Sequence, residues 1–134
     1  MPKSRFWRLL SGLLLVSFLT AGLAACRGGD EAPIAEDVTF EVVAFEPDTF
    51  VVGDVTVIIK VLRAGTPLAN ARVDAQGDMS HAGMVPVQAS GTTGADGQVR
   101  LPLEWTMAGD WTITVTITTP EGQKRAGQFE LVIN

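Results

Sequence analysis

Trp111-Thr112-Ile113-Thr114-Val115-Thr116-Ile117-Thr118 is the stretch that decides the fold class. Apolar and polar residues alternate strictly along it, so four threonines leave one face and four apolar side chains leave the other. Successive side chains of a strand point to opposite faces, so this period of two marks a strand half-buried against a second layer. β-branched residues and tryptophan suit such a pleated surface.

The same period recurs on either side. Val38, Phe40 and Val42 share a face, as do Val55, Val57, Ile59 and Val61. Val99, Leu101, Leu103 and Trp105 repeat it, and Phe129, Leu131 and Ile133 close the chain. Ala71–Ala75 and Val85–Ala89 carry weaker signals, and Pro86 in the latter suits an edge or a strand start. Turn formers punctuate the series: Ala64-Gly65-Thr66-Pro67, Gly94-Ala95-Asp96-Gly97 and Pro120-Glu121-Gly122. No segment beyond Val38 holds a helical period. About seven strands in one domain's length of chain predict an all-β protein, an immunoglobulin-like β-sandwich rather than a barrel.

Strand alternation also orders the loops. If the strand at 71–76 runs up, loop 77–84 is at the top and strand 85–90 runs down. Loop 91–97 is then at the bottom, strand 98–105 runs up, and loop 106–110 returns to the top. Counting backwards, strand 55–63 runs down and strand 38–45 runs up, so the chain enters at the bottom. Phe50-Val51-Val52, taken as a further strand, would break the backward count.

The N-terminus is a targeting segment. Lys3, Arg5 and Arg8 precede an uncharged apolar run from Leu9 to Ala25. Small residues before a cleavage point mark a secretory signal. The ending Leu23-Ala24-Ala25-Cys26 resembles the bacterial lipoprotein box, which implies cleavage before Cys26 and lipid on that residue. A retained membrane anchor is the alternative, but a span needs about 20 apolar residues and this run is short. The organisation read here is a lipoprotein signal over 1–25, a flexible linker over 26–37 and a β-sandwich domain over 38–134. The linker residues Arg27 to Asp37 are small, acidic and aperiodic, and reach at most ~35–40 Å when stretched. The protein is expected to be exported and held on the outer face of a cell membrane or in an outer membrane.

Cys26 is the only cysteine, so lipidation leaves no thiolate ligand, disulfide or cysteine nucleophile. Beyond the signal, the chain keeps fifteen Asp/Glu against seven Lys/Arg. Such a surface repels phosphate backbones, so nucleic acid is not a partner. There is one histidine, no nucleophile motif and no phosphate loop, so no enzyme is expected.

That one histidine lies between two methionines, in Asp78-Met79-Ser80-His81-Ala82-Gly83-Met84. Met107, in Thr106-Met107-Ala108-Gly109-Asp110, is the remaining internal methionine. Thioethers and imidazole form a soft, neutral donor set that suits Cu(I). Zinc normally takes several His, Cys or carboxylate ligands and fits less well. Met79 and His81, two apart, would leave the same face of an extended stretch. Gly83 allows a sharp turn that returns Met84. The parity of the strands brings Met107 to the same end. The structural alternative is a surface histidine with methionines filling gaps in the core, a common use of that residue. Trp105 and Trp111 are assigned to the core by their faces.

GDMSHAGMVP (77–86) followed by TMAGDW (106–111) resembles the YtkA-like family, with some kinship to FixH-type proteins. The resemblance covers roughly residues 38–133. It implies a secreted or membrane-attached immunoglobulin-type sandwich associated with copper handling or respiratory-oxidase assembly. It places the metal-type motif on Met79, His81 and Met84, with Met107 in the second element. The expected function is a membrane-anchored Cu(I)-binding lipoprotein that passes copper to a membrane protein. The alternative is a metal-free β-sandwich module that docks on a membrane complex.

Overall fold

The computed structural model describes residues 32–134. The signal segment, Cys26 and the first part of the linker lie outside the described residues. Eight strands follow one another: β1 (Val38–Glu46), β2 (Gly53–Arg63), β3 (Thr66–Pro67), β4 (Arg72–Met79), β5 (Val87–Thr92), β6 (Gln98–Trp105), β7 (Gly109–Thr118) and β8 (Lys124–Ile133). In one sheet β2 lies between β1 and β6, and the two-residue β3 pairs with the end of β2. The other sheet runs β5-β4-β7-β8. All strand pairs are antiparallel. The fold is the all-β sandwich that the alternation predicts.

β7 explains why. Its apolar residues Trp111, Ile113, Val115 and Ile117 are all buried, while its threonines look outward and are half-exposed. It pairs with β4 on one side and β8 on the other, so its inner face lies mid-sheet. Val55, Val57, Ile59 and Val61 of β2 and Val99, Leu101, Leu103 and Trp105 of β6 complete the same core. Full burial of each large apolar side chain contributes ~1.5–3 kcal/mol.

Strand directions match the parity argument. β4 and β6 run up, β5 and β7 run down, and β1 runs up beside a descending β2. Residues 50–52 form no strand, so the backward count holds. Loop 47–52 therefore joins 80–86 and 106–108 at the top. Phe50 packs edge-on against Phe45 at 5.1 Å, and its carbonyl accepts the Asn134 N–H at 2.8 Å. Loop 47–52 is thus tied to the end of β8.

At the bottom the domain takes up residues that composition assigns to the linker. Ala35 is 1% exposed, its N–H donates to the Lys124 carbonyl, and Lys124 N–H donates back to the Pro33 carbonyl. A short side chain and two backbone bonds lay this segment against the start of β8, and Ile34 bridges Lys124. Every core residue lies between Ala35 and Ile133, so a chain starting at residue 27 keeps the whole core.

Other boundaries also shift. β8 starts at Lys124, well before Phe129, and β5 starts at Val87, after Pro86. β3 falls where a plain turn is predicted, because Thr66 and Pro67 fold back beside Arg63 and Leu62. A bulge between Val42 and Ala44 turns Val43 out and brings Phe45 inward, where it meets Phe129 at 6.5 Å.

Candidate metal centre

Met79 is the last residue of β4 and pairs with Trp111 of β7. It continues the inward series Val73, Ala75 and Gly77, so its half-buried thioether caps the core from above. Its Cε lies 2.8 Å from where a Cβ on Gly109 would stand. Gly109 also has φ +135°, a region that favours glycine. The φ favours a glycine there, and the close approach of the Met79 methyl sets that side chain against the turn that carries Met107.

That turn is anchored from below. Trp111 Nε1–H donates to the Met107 carbonyl at 3.0 Å. The Trp111 ring is 1% exposed and packs against Trp105, with ring centroids 5.3 Å apart. The backbone of Met107 is thus fixed to the core, while its side chain is 42% exposed. A thioether on a rigid base that faces water is free to take a ligand.

His81 and Met84 lie on the connection that leaves β4 at Met79. His81 is exposed, and Met84 is half-buried. Gly83 between them has φ +85° with open space around it, so the turn expected there is formed. The same-face expectation for Met79 and His81 does not follow from strand geometry. β4 stops at Met79, and the chain bends at Ser80 and His81, so alternation ends before the histidine. The structure therefore joins Met79 directly to the Met107 turn and carries His81 and Met84 on the adjoining loop at the same end.

Asp78 points away from Met79, to the outer face of the sheet, where Gln76 Nε2 donates to both its oxygens at 3.2 and 3.0 Å. It stands apart from the methionines. Among the described residues no three His, Cys, Asp or Glu side chains gather as a metal-type group. The thioethers and the imidazole at this end are the donor types that suit a soft ion.

Two contributors escape a reading of the sequence. Gly109 reads as an ordinary turn glycine, and only the β4–β7 register shows that it makes room for Met79. The Trp111 bond to Met107 spans four residues of a tight turn, a spacing with no pattern to find.

An antiparallel two-sheet sandwich with methionine and histidine side chains at one end is the class of domain that the fold defines. Residues 34–116 match the model of the YtkA-like family, more than half of the chain, and the protein belongs to that family. All four candidate donors fall inside the matched region. No curated protein matches the chain.

Proposed function

We propose that this protein is an exported, lipid-anchored carrier that binds Cu(I) through Met79, His81 and Met84, with Met107 as a fourth donor. The observation that supports it most is the meeting of Met79 with the Met107 turn at Gly109, beside the loop of His81 and Met84. These donors are neutral and none is a thiolate. Such a site holds copper loosely enough to pass it on, in copper handling or respiratory-oxidase assembly. The acceptor would be a membrane protein. Lipid on Cys26 would tether the chain from the bottom, since the described segment enters beside Lys124, opposite the donors.

Copper uptake tests this directly. A chain starting at residue 27, titrated anaerobically against a chromogenic Cu(I) chelator, is expected to bind one ion. His81→Ala and Met84→Leu are each expected to weaken binding about tenfold or more, since loss of even an outer partner of a ligand costs about 10–100-fold. Leu keeps the bulk of methionine and limits any effect on folding. Binding should also weaken in acid, because imidazole ligates only when neutral. No uptake, or variants that bind as well as the parent, removes the copper site. The metal-free docking module then leads, and the packing of Met79 on the core favours it. Anchoring is checked separately. Cys26→Ser is expected to release the protein from the membrane fraction, and an unchanged distribution would refute lipidation.

A further inference from the structure

We infer that the loop end of the sandwich is a docking surface for a protein partner that presents a face both basic and apolar. The inference names the kind of partner for the copper reading. It rests on that reading for the purpose of docking and not for the surface itself.

The apolar side chains come first. Val51, Val52, Val85, Met107 and Val132 are large hydrophobics exposed at this end, with Val85 at 80% and Val132 at 60%. They come from the three top loops and the end of β8. The Asn134 bond to Phe50 holds Val132 and Val51 in one neighbourhood. Single exposed apolar residues are ordinary. Among the described residues five of the seven exposed large hydrophobics gather at this end, with Val43 at the β1 bulge and Ile34 at the bottom, and such a concentration is the pattern of an interaction site.

Charge identifies the occupant. Asp48 lies on one of these loops, Asp54 and Glu104 on the strand ends beside them, and Asp110 pairs with Val132. Asp54 and Glu104 are direct cross-strand partners between β2 and β6. Like charges placed opposite each other destabilise a sheet, so this pair works against folding. A local rule broken without a gain in the fold points to function. Among the described residues, Arg100 is the one cation that reaches this half, and it is paired with Glu46. The other cations, Lys60, Arg63, Arg72, Lys124 and Arg125, lie toward the bottom. Two of them are matched locally: Arg72 by Asp74 and Arg63 by Glu121, whose carboxyl that hydrogen bond holds down at about 2.

An end that is both acidic and apolar excludes two other occupants. Anionic lipid is repelled by it. A second copy would set carboxylates against carboxylates. A basic protein face is attracted, and its approach is steered by the field.

Amide spectra of a 15N-labelled chain starting at residue 27, titrated with a short amphipathic lysine–leucine peptide, test the inference. Shifts are expected only around 47–54, 80–86, 104–110 and 130–134. Affinity should fall at least about tenfold as ionic strength takes the Debye length from about 30 Å to about 3 Å. The double variant Asp54→Lys/Glu104→Lys and, separately, Val85→Ser should each weaken peptide binding about tenfold. Both should leave Cu(I) affinity unchanged, so loss of docking and loss of copper are told apart. Shifts spread over the whole surface or centred on the bottom would overturn the inference. So would equal binding of a glutamate–leucine peptide, or the same shifts with vesicles of phosphatidylglycerol and phosphatidylcholine.

Discussion

Gly97→Ala is expected to cost the domain about 3 kcal/mol or more, a large part of the 5–15 kcal/mol that usually holds a domain folded. Gly97 has φ +74°, and a side chain in left-handed geometry costs ~1–2 kcal/mol. The added Cβ would also lie 2.6 Å from the Val61 carbonyl oxygen, 3.0 Å from Pro67 Cβ and 3.1 Å from the Leu68 nitrogen. Two of these are backbone atoms, and neither is free to retreat. Leu68 N–H donates to that same Val61 oxygen, and Val61 N–H donates to the Gly97 carbonyl. Overlap with a packed neighbour typically adds ~1–3 kcal/mol. A denaturant titration should show the midpoint fall with the slope unchanged. Gly94→Ala is the control. Its Cβ would come no nearer than 3.4 Å to any neighbour, so a loss of less than ~1 kcal/mol is expected. Equal midpoints for the two variants would show that the bottom turn is not packed as described.

Ile113→Ala is the second large effect, expected near ~4 kcal/mol within the ~2–5 kcal/mol range for such a change. Ile113 is fully buried in the middle of β7, between Gly77 of β4 and Phe129 of β8. The size of the loss depends on whether neighbours close the void. Gly77 cannot, for it has no side chain, and a Cβ there would already be 3.1 Å from Ile113 Cδ1. The isoleucine fills space that its neighbour leaves open, which places the loss in the upper part of the range. A change below about half a kcal/mol in the same titration would mean that the face of β7 is wrongly assigned.

The core was legible because its residues announce it. Trp111, Ile113, Val115 and Ile117 alternate with threonine without interruption, and all four are buried. The lower half of β8 was not. There the inward position is Gly127, and the ring of Phe40 from the facing sheet fills its place, 2.6 Å from a would-be Cβ. A strand that takes part of its apolar contact from across the sandwich shows no apolar residue of its own. Ala35 hides for a related reason, since a small residue in an acidic stretch reads as linker until its backbone bonds to Lys124 are seen. For the candidate site, strand order alone placed 80–86 and 106–108 at one end. The bend at Ser80 was beyond reach, because alternation carries no information once the ladder stops.

The paired indoles beneath the top loops give the domain a built-in optical gauge. The sequence has three tryptophans and no tyrosine, and Trp7 is the one that precedes residue 27. Ultraviolet emission from a chain starting at residue 27 therefore comes from Trp105 and Trp111 alone. Trp111 is hydrogen-bonded to the backbone of Met107, and its ring lies against that of Trp105. Whatever loads, oxidises or covers the loops acts within a few residues of both fluorophores. The light this protein emits is a readout of one end of the molecule, with no label attached.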